Sequence, residues 1–112
     1  HGEGVKQDYK TALKWFRKAA DQGEPLAQTS MGFAYLDGDG VRRSLPQALE
    51  WFRKAAKQNH PDAMFALGSM YLTGEGVKKN KGTAKRYLRK AAALGDLEAA
   101  ELIEAIEANL IS

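Results

Sequence analysis

The sequence predicts an all-α fold, an α/α solenoid of three antiparallel helix pairs with about six helices, on three observations in register. GEGV at Gly2 to Val5 returns as GDGV at Gly38 to Val41 and as GEGV at Gly74 to Val77, 36 residues apart each time. WFRKAA at Trp15 to Ala20 returns at Trp51 to Ala56, and as YLRKAA at Tyr87 to Ala92, at the same spacing. Ala12, Ala48 and Ala84 keep that register, as do Ala27, Ala63 and Ala99. A fixed period of this length is the signature of a stacked repeat, in which each unit cannot bury its apolar faces alone.

The elements follow in order. Tyr9, Ala12, Leu13, Phe16, Ala19 and Ala20 fall on one face of a helix rather than a strand. Gly23 suits a left-handed C-terminal cap, and Pro25 suits the first turn of the next helix, where its missing N–H costs little. That helix carries Ala27, Met31, Ala34 and Tyr35 before a glycine pair breaks it. The second unit repeats the layout over about Leu45 to Gln58 and Pro61 to Leu72. Asn59 stands where Gly23 stood, and asparagine is the next most tolerant residue of a left-handed cap. The third unit runs over about Lys81 to Leu94, caps at Gly95, and ends in a helix from about Asp96 towards Ile111. The units are approximately 2–37, 38–73 and 74–112 of one repeat domain. Alanines at the repeated positions let helix backbones approach, and Trp15, Phe16, Trp51, Phe52, Tyr87 and Leu88 are expected to fill the space between units.

These residues resemble the Sel-one-like repeat (SLR) family, relatives of the tetratricopeptide repeat. In the second unit the resemblance rests on Gly38, Gly40, Val41, Ala48, Trp51, Phe52, Lys54, Ala55, Ala56, Ala63, Leu67, Gly68, Tyr71 and Gly74. The resemblance implies a right-handed superhelix whose A helices line a concave side that holds a peptide or protein. The third unit departs from the pattern, with Ile103, Glu104 and Glu107 where the second has Leu67, Gly68 and Tyr71. Gly and Tyr serve contact with a following repeat. Glu98, Glu101, Glu104 and Glu107 on one side therefore read as a C-terminal cap. At the front the chain starts within a G-x-G loop that would follow a B helix, so a helix or repeat is expected to precede His1.

Composition narrows the chemistry. The chain has 112 residues, 44% hydrophobic and 28% charged, with no cysteine, so disulfides, thiolate zinc sites and a cysteine nucleophile are excluded. Related repeats that staple each helix pair with paired cysteines are excluded with them. Apolar runs are a few residues long, too short for a bilayer span, and HGEGVKQDYK lacks the basic start and apolar stretch of a secretory signal. The chain is expected to be soluble, cytoplasmic or exported to the periplasm of a bacterium, the compartment being open. The G-x-G loops lack the third glycine and preceding strand of a dinucleotide fingerprint. Asp37 to Gly40 resembles a calcium loop, but Val41 stands at the third ligand position and no glutamate closes the loop. His1 and His60 form no zinc constellation, and His60 reads as a solvated turn residue. Ser30, Ser44 and Ser69 lack a nucleophile elbow. No catalytic set emerges, and no enzyme, cofactor or metal is predicted. Trp15 and Trp51 beside phenylalanines favour packing over a ligand platform.

What remains is surface. The expected function is a non-catalytic adaptor or scaffold that binds a partner protein or peptide along the A helices, with Lys14, Arg17, Lys18, Glu50, Arg53, Lys57, Arg86 and Arg89 as candidate contacts. Arg17, Arg53 and Arg89 form a row one repeat apart, and guanidinium grips carboxylate bidentately, so an acidic segment is the expected partner. The third unit carries Lys78, Lys79, Lys81, Lys85, Arg86, Arg89 and Lys90 without an acid among them, then five acids from Asp96 to Glu107. Two explanations stand: complementary charge on adjacent helices, or a basic patch for an acidic protein or, as the alternative function, for nucleic acid or another polyanion. Nucleic acid is disfavoured by a net charge of only +3 and by the lack of aromatics interleaved with the charges. Self-association through the uncapped front of the first A helix is a third expectation.

Overall fold

A computed structural model describes the backbone of residues 2–108 and the side-chain surroundings of residues 10–108. Six helices follow one another: α1 (Gly2–Asp21), α2 (Pro25–Asp37), α3 (Leu45–Lys57), α4 (Pro61–Thr73), α5 (Lys81–Ala93) and α6 (Leu97–Glu107). The predicted continuation towards Ile111, the side chain of Tyr9 and the whole of His1 lie outside the described residues.

Local chemistry starts and stops these helices as the sequence leads one to expect. Ser44 Oγ accepts from the Gln47 N–H at 3.3 Å, Asn80 Oδ1 from Thr83 at 3.0 Å and Asp96 Oδ1 from Ala99 at 3.1 Å, each satisfying an orphan donor of a first turn. The three A helices end alike. Gly23 (φ 92°), Asn59 (φ 62°) and Gly95 (φ 99°) are all left-handed, and the N–H after each returns to a carbonyl in the last helical turn: Glu24 to Ala19, His60 to Ala55 and Asp96 to Ala91.

Residues 2–5 differ from expectation. The GEGV that opens the chain continues α1 as helix, whereas residues 38–41 and 74–77 form loops. The internal loops are built on the helix before them. Gly38 and Gly74 N–H donate to Ala34 and Met70 carbonyls, and Ser44 and Asn80 N–H close the loops onto the Tyr35 and Tyr71 carbonyls. Residues 2–5 are held instead within the hydrogen-bonded helix α1.

The helices zigzag in two layers, α1, α3, α5 and α2, α4, α6, each packing on the next, with the closest packing of α2 on α3 and of α4 on α5. The result is elongated, 45 × 26 × 23 Å. Two apolar clusters replace a single centre. One joins Leu13, Ala20, Ala27, Met31 and Ala34 to Trp51, and the other runs from Ala48 and Phe52 through Leu67 and Leu88 to Ala99 and Ile106.

The repeat boundary is where an A-helix side chain of one unit enters the B helix of the unit before. Phe52 lies against Gly32, where a Cβ would stand 2.5 Å from its ring, and edge-on to Phe33 at 4.9 Å between centroids. Leu88 lies likewise against Gly68, at 2.7 Å from a Cβ. Tyr71 also reaches forward and stacks on Tyr87 at 6.0 Å. Because these side chains pack backward, position in the stack decides their burial. Trp51 is 5% exposed, whereas Trp15, its equivalent, is 67% exposed and Phe16 is 41% exposed. The expectation that Trp15 and Phe16 fill space between units is corrected by this: no B helix covers them among the described residues.

The two boundaries are stapled differently. At the first, Gln58 Nε2 donates to the Gly23 carbonyl at 2.7 Å and to Gln28 Oε1 at 3.0 Å, while buried Gln28 donates to the Ala20 carbonyl at 3.3 Å. His60 belongs to the same seam. Rather than a solvated turn residue it is half-buried, with Nδ1 2.8 Å from the hydroxyl of buried Thr29, which also lies 3.0 Å from the Pro25 carbonyl. At the second boundary the positions of Gln28, Thr29 and Gln58 are taken by Met64, Phe65 and Leu94, which carry no polar side-chain group to form such a seam.

Candidate partner-binding surface

Lys14, Arg17, Lys18, Glu50, Arg53, Lys57, Arg86 and Arg89 are all exposed, on α1, α3 and α5. The apolar faces of α3 and α5 are largely used up by packing, so there the charged positions are what the layer presents outward, while α1 also leaves Trp15 and Phe16 exposed.

The arginine row has a regular geometry that the sequence pattern did not disclose. Each arginine reaches the residue 18 positions further on, in the B helix of its own unit. Arg17 Nη1 donates to Tyr35 Oη at 3.3 Å, Arg53 Nη2 to Tyr71 Oη at 3.1 Å, and Arg89 Nη2 to Glu107 Oε1 at 3.4 Å. The first two partners are neutral phenols, which orient the guanidinium but leave its charge uncompensated. The third is a carboxylate, and Arg89 is thereby ion-paired. The pair is exposed on both sides and is worth about 0–1 kcal/mol, so its consequence is electrostatic rather than structural. The row is thus two open cations and one closed. A signal was present in the sequence, since the tyrosine of the first two units is replaced by Glu107, but the arginine it serves is named only by the fold.

Of the remaining third-unit cations, Lys78, Lys79, Lys81, Lys85, Arg86 and Lys90 make no ion pair among the described residues, where the one other pair is Arg43 Nη2 with Glu75 Oε2 at 3.3 Å, bridging successive loops. Lys54 lies over the Trp51 ring at 4.5 Å from its centroid, and Lys18 over Trp15 at 5.8 Å. A hollow of about 420 Å³ beside Arg53 is lined by Tyr71, Val77, Lys78, Lys79 and Asn80. Another of about 240 Å³ lies at the front between α1 and α2, lined by Leu13, Phe16, Phe33 and Ala34 among others. Among the described residues no cluster of three His, Asp or Glu could hold a metal, and every buried side-chain polar atom has a hydrogen-bond partner. No described helix is long and apolar enough to cross a membrane.

Stacked helix pairs without a central core, with a run of exposed cations on the layer of α1, α3 and α5, define a helical-repeat module. The Sel1 repeat model matches residues 1–24, 25–60 and 61–96, and the chain belongs to that family. The last two spans advance by 36 residues and begin at the B helices, so each encloses a tightly packed pair, α2 with α3 or α4 with α5, while α6 lies beyond the match. Solved structures agree. A Sel1 repeat protein from Oxalobacter formigenes is 45% identical with a TM-score of 0.84, over 91% of this chain and 42% of that one. A protective antigen of uropathogenic Escherichia coli strains displaying an SLR fold is 34% identical with a TM-score of 0.89, over 98% of this chain and 24% of that one. Helicobacter pylori cysteine rich protein B is 28% identical with a TM-score of 0.76, over 80% of this chain and 68% of its own. The chain therefore spans less than half the length of the first two. No curated protein matches it significantly.

Proposed function

We propose that the chain is a non-catalytic protein-binding module that holds an acidic segment of a partner along the layer of α1, α3 and α5, the concave side in the family it belongs to. The observation that carries this reading is the pair Arg17 and Arg53, exposed, one repeat apart, and held by neutral tyrosine hydroxyls. Lys14, Lys18, Lys57 and Arg86 add positive charge along the same layer, and Glu50 is its lone acid among the candidate contacts. In this reading α6, with Glu98, Glu101, Glu104 and Glu107 all exposed, ends the stack as a cap. Bacterial relatives support a bacterial setting, in the cytoplasm or the periplasm.

The test is a titration of a fluorescein-labelled hexaglutamate peptide against the parent chain and the Arg17→Glu, Arg53→Glu, Arg89→Glu triple variant, with circular dichroism as the folding control. Loss of binding in the triple variant supports the reading; equal affinity refutes it. Polyanion binding through the third repeat is weakened by the Arg89 to Glu107 pair, which removes one of its cations. A second reading rests on Trp15 and Phe16, whose exposure leaves an apolar front on α1 for another repeat or a second copy to cover. It predicts a mass by light scattering that rises with concentration and falls to the monomer in Trp15→Glu.

A further inference from the structure

We infer that the hollow beside Arg53 is a carboxylate-binding subsite, the point at which an acidic side chain of a bound peptide is gripped. The inference rests on the acidic-partner reading above and assigns it an address.

The lining is one-sided in its chemistry. Arg53, Lys78 and Lys79 are cations, and Val77 is an apolar wall. Asn80 uses its Oδ1 to accept from the Thr83 N–H, so what it has left for a ligand is its amide N–H2. The Tyr71 oxygen takes one guanidinium N–H of Arg53, leaving the other donors of the fork for a ligand. Among the described residues no carboxylate lines this hollow. Glu50 lies instead on a neighbouring hollow, with Ser44, Gln47 and Gly76, on another side of Arg53. An anion is therefore drawn in from the side of Lys78 and Lys79.

The chain itself supplies the ligand type. In the third unit the place of Tyr71 is taken by Glu107, and its carboxylate accepts from Arg89 Nη2, the atom by which Arg53 donates to Tyr71. A carboxylate therefore suits this arginine in this register. Where the B helix provides a phenol instead, the carboxylate has to come from outside; Lys78 and Lys79 in the loop after Tyr71 flank its place, where the loop after Tyr35 carries Arg42 and Arg43. The equivalent loop after Tyr35 is less open, because Arg43 is committed to the Leu36 carbonyl at 2.9 Å and to Glu75. Arg53 is accordingly the primary anchor of the row, Arg17 a weaker one, and Arg89 is closed.

Three variants test this with the hexaglutamate peptide as probe. Tyr71→Glu reproduces the third-unit pair at Arg53 and is expected to weaken binding about five- to tenfold, the loss of a charge-assisted contact. Because Tyr71 is half-buried against Tyr87, Lys78→Gln with Lys79→Gln gives the same test from exposed positions, with an expected weakening of about threefold or more. Glu107→Tyr opens Arg89 and is expected to strengthen binding about twofold. If the triple arginine variant loses the peptide while Tyr71→Glu and the lysine pair keep parental affinity, the subsite is overturned and the acidic-partner reading stands. If the triple variant binds as the parent does, both fall. Inorganic phosphate or a single-stranded oligonucleotide bound more tightly than the peptide, and lost in the same variants, overturns the carboxylate in favour of phosphate.

Discussion

Gly68→Ala gives the sharpest test of the repeat boundary, because two opposing effects are both set by the structure. Gly68 lies in the middle of α4, so alanine there gains about 1 kcal/mol in helix propensity. The new Cβ, however, would stand 2.7 and 2.8 Å from Leu88 Cγ and Cδ2 and 3.2 Å from the Ala84 carbonyl oxygen. Carbon atoms prefer about 3.5–4.0 Å, so α4 and α5 must separate or Leu88 must leave its rotamer, a cost of about 1–3 kcal/mol. Gly68→Ala should therefore destabilise by about 0–2 kcal/mol net of the propensity gain. Leu88→Ala alone leaves a cavity and should cost about 2–5 kcal/mol, since Leu88 is fully buried. In the Leu88→Ala background the alanine at 68 enters space that the leucine has vacated. There Gly68→Ala should stabilise by up to about 1 kcal/mol, so its sign reverses. Urea unfolding followed by far-UV circular dichroism, on all four members of the cycle, gives a coupling of about 2 kcal/mol if the packing is right. A stabilising Gly68→Ala with Leu88 present, or additivity within about 0.5 kcal/mol, would refute the close approach of α4 and α5.

Three further outcomes follow from the same geometry. Trp51→Ala should cost about 3–5 kcal/mol and Trp15→Ala less than about 0.5 kcal/mol, although FRKAA follows both; in single-tryptophan proteins Trp15 should emit at longer wavelength than Trp51. Gln58→Ala removes the two hydrogen bonds that Gln58 Nε2 donates across the first seam and should lower stability by about 1–3 kcal/mol, measured by urea unfolding, while Leu94→Ala at the equivalent place leaves no unpaired polar group. Asn59→Gly should be neutral or stabilising by a few tenths of a kcal/mol and Asn59→Ala destabilising by about 1–2 kcal/mol, because φ at this cap is 62°; thermal melts of the two variants decide it.

Much of the fold was legible in the sequence, and much of the site was not. The boundaries of α2 to α5 and the left-handed caps at Gly23, Asn59 and Gly95 come from a repeat of 36 residues and from backbone rules that act over a few positions. The exposed arginine row was legible too, as periodic charge. What escaped the sequence were pairings between elements. The bond from His60 to Thr29 spans 31 positions, and each arginine finds its partner 18 positions away. A solvated turn histidine and one that closes a seam look alike until α2 and the turn before α4 are brought together.

The sequence by itself determined what local chemistry can determine: where chains of apolar spacing become helices, where a positive φ ends them, and that the unit repeats. It also determined that no thiol could staple the units, so that packing and hydrogen bonds alone hold them. Only the tertiary structure decided which of two identical tryptophans is buried and which of three equivalent arginines is ion-paired. Burial and charge neutralisation are properties of neighbours, and in a stack the neighbours of identical residues differ from one end to the other. Trp51 packs on α2, whereas Trp15 stays exposed among the described residues; Arg53 faces a phenol and Arg89 a carboxylate.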